Sequence, residues 1–247
     1  MSEPAPAIIS FDVPLSTRVV GGQFYVFGEV ESTNDLALQL GSDGAVVVAE
    51  RQTAGRGRHG RVWHSPRGMG LWFSVALEGH LRGLPFAAAL AVRDALQPRC
   101  PVVIKWPNDL LIHGRKVCGI LVEHRGERNA LGIGLNVHQR LEDFPEELRA
   151  KATSLELATG SRFDRAALLR DILTRLDERV LALRGNGYEA IRREWAHTCD
   201  LKGRDVRYGG IAGTVKDIDE HGALIVVTVQ GEHRLISGEI EILTQGV

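Results

Sequence analysis

The chain has 247 residues, of which 44% are hydrophobic and 25% charged, the composition of an ordinary globular protein. Lys plus Arg total 30 and Asp plus Glu total 31, for a formal net charge of −1, which excludes a generally sticky polycation and a disordered acidic chain. At roughly 100–200 residues per domain, this length predicts one large domain or one with a small appendage.

In chain order, residues 1–17 carry three prolines and little pattern, and predict an irregular start. A short strand is expected over 24–29. Ser32, with an acid three residues on at Asp35, then offers a capping box for a helix through Leu40. A turn at 41–44 leads into the apolar run 45–50 (AVVVAE), which reads as a buried strand. A long polar, glycine-rich loop covers 53–70. Strand 71–77 (LWFSVAL) and helix 85–96, with Pro85 in its first turn, follow. Residues 102–106 predict a strand stopped by Pro107, 109–113 and 117–123 a hairpin, and 131–137 a further strand. From 164 the period becomes helical, with Leu168, Ile172, Leu176 and Val180 on one face. Gly185 and Gly187 interrupt it before a second helix over 188–197. After Lys202 short strands alternate with glycine turns every 8–12 residues, the pattern of a small β-barrel or sandwich. The domain boundary is expected near 199–203, with units of 1–200 and 201–247.

Cys100, Cys118 and Cys199 are odd in number and form no CxxC, so neither a zinc site nor a disulfide framework is expected. The first 17 residues hold no Lys or Arg, and no stretch approaches the roughly 20 apolar residues of a membrane span. These features predict a cytoplasmic protein with no membrane partner.

Local charge is more informative than the total. Five arginines and two histidines fall between Arg51 and Arg67, centred on Gly55-Arg-Gly-Arg-His-Gly-Arg61, and no acid occurs between Glu50 and Glu78. Glycines admit close backbone approach, and guanidinium forks bind anions bidentately. The segment therefore predicts an unpaired basic loop that stays mobile until an anion arrives. It is not a Walker A loop, since Gly-Lys-Ser/Thr is absent. A solvated loop or an RNA-binding segment is the competing reading at even odds. Ile104-Lys-Trp-Pro-Asn-Asp109 puts Lys105 on the strand face opposite Ile104 and Trp106, and either presents Lys105 and Asp109 to a ligand or simply turns the chain. In Arg115-Lys-Val-Cys-Gly-Ile-Leu-Val-Glu123, Gly119 inside an apolar strand suggests close approach by another group, and Lys116 could reach a phosphate or carboxylate. A hairpin with a solvated basic turn fits this segment equally well. Asn136, ending Gly132-Ile-Gly-Leu-Asn136, either reads a base edge or caps its strand.

Taken together, Glu31-Ser-Thr-Asn-Asp35, GRGRHGR, KWPND, GRKVCGILVE and GIGLNV, in this order and spacing, resemble the biotin–protein ligase (biotin–[acetyl-CoA-carboxylase] ligase) family. The resemblance spans about residues 25–245. It implies an α+β fold: a mixed β-sheet catalytic domain flanked by helices, class II synthetase-like, plus a small C-terminal SH3-like β-barrel. It implies ATP and biotin as substrates, with Mg2+ accompanying the nucleotide and no fixed protein metal site. Biotinyl-5′-AMP would form first, and a lysine of a biotin carboxyl carrier protein domain would then take the biotinyl group. A carboxylate is already ionised at neutral pH, so the first step needs cations and alignment rather than a base.

The resemblance also implies site residues. Ser32, Thr33, Asn34, Gln52 and Gly55 would surround the biotin ureido ring, with Gly119 lining the pocket. Arg56 and Arg58 would lie by the carboxylate and phosphate, Arg61 beside the nucleotide, Trp63 beside the biotin tail or the adenosine, and Asn136 at adenine. Lys116 would contact the biotin carboxylate and α-phosphate. Lys105 is the expected second catalytic cation, and Asp109 would orient Lys105 or the incoming amine. His59 stands where relatives often carry Arg. The C-terminal unit would dock the carrier and complete the ATP site. Homodimers are common in the family. About 20 residues precede the first predicted strand, too few for the 50–60 of a three-helix DNA reader, so DNA binding is not expected.

A lipoate ligase would share the fold, but lipoate has no ureido group to satisfy Ser32, Thr33, Asn34 and Gln52. An RNA-binding module would want aromatics interleaved with the arginines, and only Trp63 is near. A non-catalytic biotin sensor would not need Lys116, Arg56 and Arg58.

Overall fold

Alternating and continuous apolar runs in the first 140 residues become one sheet, because each can bury a face only against its neighbours. The structure, a computed structural model, describes residues 15–40, 42–199, 201–236, 238 and 240–243. Most of the irregular start and position 41 of the first predicted turn lie outside these residues.

Seven strands form the first sheet: β1 (Phe24–Phe27), β2 (Val46–Ala49), β3 (Gly70–Glu78), β4 (Val103–Lys105), β5 (Asp109–Ile112), β6 (Arg115–Arg125) and β7 (Arg128–Asn136). Their order is β1-β2-β3-β7-β6-β5-β4, with β1 and β2 parallel and every other pair antiparallel. Helices α2 (Leu84–Leu96), α4 (Arg165–Arg184) and α5 (Tyr188–Cys199) cover one face. Val46, Val48, Phe73, Val75, Ile133 and Ile120 point into that side, against the buried α4 stripe Leu168, Ile172, Leu176 and Val180. α1 (Thr33–Leu40) lies on the other face through Ala37 and Leu38. α3 (Leu155–Thr159), capped by the Ser154 hydroxyl accepting from the Leu157 N–H at 3.0 Å, was not predicted. The predicted capping box at Ser32 gives way to another contact, since Asp35 turns its carboxylate to Arg56.

Five strands form the second sheet: β8 (Asp205–Tyr208), β9 (Ile211–Ile218), β10 (Leu224–Thr228), β11 (Gly231–Leu235) and the unpredicted β12 (Glu241–Ile242). All pairs are antiparallel, in the order β11-β10-β9-β8-β12, in keeping with the SH3-like expectation. Its 218–222 segment docks on Trp106, after β4, and on α5. Trp106 Nε1 donates to the Gly222 carbonyl at 2.9 Å, Tyr188 Oη to the Glu220 carbonyl at 2.6 Å, and Arg192 to the Ile218 and Asp219 carbonyls at 3.2 Å. Gly222, at φ +82°, leaves room for Phe86, whose Cζ lies 2.2 Å from where a Cβ would stand. The KWPND segment thus does two jobs: Trp106, after which the peptide bond to Pro107 is cis, faces the second sheet, while Lys105 and Asp109 face the other way.

Candidate active site

Register across the sheet builds the floor of the site. Lys105 pairs with Asp109, Asp109 with Gly119, Gly119 with Gly134, and Gly134 with Trp72, so these five share one face in one transverse row. The adjacent row on that face is Leu121, Gly132, Ser74 and Val47. Three glycines in the middle make a shallow slot. A Cβ on Gly134 would fall 2.4 Å from Trp63 Nε1, one on Gly119 2.9 Å from Trp63 Cζ3, and one on Gly132 2.4 Å from Asn34 Oδ1. The Trp63 indole thus lies over Gly119 and Gly134, edge-on to Trp72 at 6.4 Å, and its Nε1 is buried without a partner among the described residues.

Lys116 reaches this face through a β-bulge. Leu110 pairs with Cys118 but Leu111 pairs with Lys116, so one extra residue on β6 returns Lys116 to the Asp109 side. Its Nζ lies 2.7 Å from Asp109 Oδ1 and 5.2 Å from the Trp63 ring centroid. Segment 151–153 holds its backbone: Lys116 N–H donates to the Lys151 carbonyl at 2.8 Å, and Thr153 N–H to the Lys116 carbonyl at 2.9 Å. Asp109 therefore engages Lys116, where Lys105 or an incoming amine was expected, because the bulge turns the Lys116 side chain toward it. Lys105 stands at the edge of the row without an ion pair among the described residues.

At the other end of the slot lies a buried polar cluster. The Gln52 Oε1 accepts from the Thr33 N–H at 2.9 Å and the Thr33 hydroxyl at 3.0 Å. Ser74 Oγ lies 2.7 Å from Thr33 Oγ1 and 2.6 Å from Asn34 Oδ1, and Asn34 Nδ2 donates to Glu123 at 2.7 Å. Ser32 is buried beside them. Ser74 and Glu123 belong to this cluster although sequence reasoning passed over both. Ser74 sits in an apolar run, and its only signal is that period two aligns it with Trp72 on the slot face.

The basic loop departs from expectation. It is a narrow ribbon, with Gln52 bridged to Ser65, the Trp63 N–H donating to the Gly55 carbonyl at 2.9 Å, and the Gly57 N–H to the Arg61 carbonyl at 2.7 Å. A turn at Arg58–Gly60 closes it, with His59 at φ 56°. Gly55 is needed for this closeness, since a Cβ there would meet the Trp63 carbonyl at 2.7 Å. Nor is Arg56 unpaired. It grips Asp35 bidentately at 2.7 and 2.8 Å and reaches Glu123 at 3.2 Å. Arg56 and the weaker pull of Arg125 hold the Asp35 carboxyl below the usual carboxylate range. These acids lie far away in sequence, on α1 and β6, so a local charge count does not see them. At about one-third exposure such pairs are worth roughly 0–1 kcal/mol, so an incoming phosphate can exchange for the carboxylates. Arg58 Nη2 donates to the Gly238 carbonyl at 3.3 Å, tying the ribbon to the second sheet. Arg61 is exposed at the ribbon's end.

Asn136 ends β7 beside the segment that holds Lys116. Its amide donates to the Thr153 carbonyl at 3.0 Å and accepts from Gln139 at 2.8 Å, one bond at each end, which leaves a second N–H and a second lone pair. It braces segment 151–153 and, through it, Lys116. Cys118 lies under the floor, and burial pushes its thiol well up, so it offers no nucleophile. Among the described residues no group of three or more His, Cys, Asp or Glu is gathered to hold a metal.

Residues 27–139 match the Biotin/lipoate A/B protein ligase family, and residues 205–243 match the Biotin protein ligase C terminal domain. The chain is 36% identical to the bifunctional ligase/repressor BirA of Bacillus subtilis (strain 168), over 92% of this chain and 76% of that protein. It is 35% identical to the biotin–[acetyl-CoA-carboxylase] ligase of Paracoccus denitrificans, over 87% of this chain and 98% of that one. Among solved structures, biotin protein ligase from Aquifex aeolicus in complex with biotin and ATP superposes with a TM-score of 0.78 at 32% identity, covering 90% of this chain and 99% of that one. With both its sheets matched and its length largely shared with ligases, the chain belongs to the biotin protein ligase family.

Proposed function

We propose that this protein joins the carboxylate of biotin to the α-phosphate of ATP, releasing diphosphate, and passes the biotinyl group to a lysine of a biotin carboxyl carrier domain. The observation that carries this reading is the slot itself: a glycine floor with a buried hydrogen-bonding cluster at one end and Lys116 at the other. A ureido ring has both donors and acceptors to satisfy, and the Thr33, Asn34, Gln52 and Ser74 cluster offers both. The Trp63 indole rests on the Gly119–Gly134 floor, so the apolar rings of biotin would displace it and lie there with the indole packing over them. This sets the carboxylate toward Lys116.

In the first step a carboxylate oxygen attacks the α-phosphorus, and the bond from phosphorus to the diphosphate oxygen breaks. Both reactants are anionic, so the protein's part is to screen charge and align them. Lys116 exchanges Asp109 for the carboxylate and α-phosphate. Arg56, Arg58 and Arg61 supply guanidinium forks from the ribbon, and Lys105 adds a cation at the end of the row. Magnesium fits as the counter-ion of the triphosphate, since it keeps water and phosphate ligands and needs one or two carboxylates at most. In the second step the neutral lysine amine of the carrier attacks the acyl carbon and AMP leaves. Residues 201–247 form the unit that receives the carrier, with Arg58 linking it to the ribbon.

Incubating the full chain with ATP, biotin, magnesium and an apo carrier domain should add one biotinyl group to the carrier by mass spectrometry. No mass gain, or an equal gain with lipoate, overturns the reading. Arg58→Gly should open the ribbon's tie to the second sheet and remove a charge-assisted contact worth about 1.5–3 kcal/mol, releasing biotinyl-5′-AMP about ten- to a hundredfold faster. Bystander lysines would then be biotinylated. Unchanged retention in a stopped-flow release assay would refute this role.

A further inference from the structure

The ribbon that carries Gln52, Arg56, Arg58 and Trp63 leaves the sheet after β2 and rejoins it at β3. Both junctions meet one side chain from the opposite layer. Arg165, the first residue of α4, donates to Glu50 Oε2 at 2.9 Å and Oε1 at 3.2 Å, and to the Gly70 carbonyl at 3.1 Å. Period two explains the geometry: Ala49 faces the slot in the row of Trp72, so Glu50 turns to the helix side, where α4 begins. The Glu50 carbonyl also accepts from the Gly68 N–H at 3.1 Å, closing the neck of the ribbon. A second tie exists on the outside, where Glu29 pairs with Arg51 at 3.0 Å and Arg67 at 3.4 Å, but these side chains are about half exposed and such pairs are weak. The Arg165–Glu50 side chains are 22% and 11% exposed, so theirs is the stronger constraint.

We propose that Arg165 is a positioning residue, clamping both ends of the ligand-binding ribbon from the far side of the sheet so that its arginines and Trp63 meet the adenylate in one geometry. The inference rests on the proposed adenylate chemistry and extends it to a residue that touches no substrate. Arg165→Ala leaves Glu50 buried without its cation and can unfold the neck outright. The informative variant is therefore the double change Arg165→Met with Glu50→Gln, which keeps volume and leaves no unpaired charge. Its thermal midpoint should stay close to that of the unchanged protein. Amide hydrogen exchange across 52–66 in the unliganded protein should quicken about tenfold, with β3 and β7 unaltered, and biotinyl-5′-AMP release should quicken about tenfold. Arg179→Ala is the control. It removes an arginine of the same exposure that pairs with Asp94 at 2.8 Å and with Glu194 within the helical layer. That variant should lower the thermal midpoint and leave ribbon exchange alone. Ribbon exchange and adenylate release unchanged in the double variant, or raised equally by Arg179→Ala, would overturn the clamp. If the unchanged protein makes no adenylate, the proposed chemistry falls, while the exchange comparison still decides the clamp.

Discussion

Lys116→Ala should slow formation of biotinyl-5′-AMP by about a hundred- to a thousandfold while biotin binding remains measurable. The fold gives a reason to expect so clean a separation. The Lys116 backbone is held by segment 151–153 through both its N–H and its carbonyl, so truncation leaves the bulge in place. The polar end of the slot, built from Thr33, Asn34, Gln52 and Ser74, shares no hydrogen bond with the Lys116 side chain among the described residues. What the truncation removes is the cation paired with Asp109 among the described residues, and Asp109 then adds an uncompensated negative charge where the proposed chemistry brings two anions together. The loss should therefore exceed that from any single ribbon arginine, each of which has neighbours of like charge. Diphosphate release measures the chemical step, and equilibrium dialysis measures biotin. A near-normal rate of diphosphate release in the variant would remove Lys116 from the reaction.

The reach of Lys116 also marks the limit of what the sequence could say. Apolar runs and their period locate β3, β6 and β7, and the four-residue spacing of Leu168, Ile172, Leu176 and Val180 locates α4, because those patterns are set by burial against a single layer. Resemblance points to Gly119, Lys116 and Gln52 as a set. The partners of the charges are not legible, since Asp35, Glu123 and Asp109 meet Arg56 and Lys116 only through register, helix placement and a one-residue bulge. The partners of Asn136 are hidden for the same reason: its amide meets the Thr153 carbonyl and Gln139 only once the segments after β7 fold back. Ser74 and Glu50 are invisible in the opposite sense. Each sits in or beside an apolar run, where only the parity of the strand decides whether it faces the slot or the helices.

Gly134→Val should leave the fold intact and cost biotin affinity about two to three orders of magnitude. Valine suits a strand interior, and Gly134 lies within β7 between β3 and β6, so local conformation is not opposed. The conflict is with the roof of the slot. The first added carbon would stand 2.4 Å from Trp63 Nε1 and 2.5 Å from Trp63 Cε2, far inside contact distance. The floor is rigid sheet, so Trp63 must yield, yet its backbone N–H is tied to the Gly55 carbonyl at 2.9 Å in the ribbon. Relief therefore comes from the indole alone, which leaves its place beneath Lys116 and beside Trp72. The methyls then occupy the space that a bicyclic ring would enter on the floor, and the expected loss corresponds to roughly 3–4 kcal/mol of biotin affinity. Gly134→Ala should fall between the two proteins, since its single carbon already makes the clash but leaves more of the slot open. Isothermal titration with biotin alone, without ATP, reads the slot independently of the chemistry. Retained affinity in the valine variant would mean that biotin does not lie on this floor, and the glycine row would then serve only the packing of Trp63.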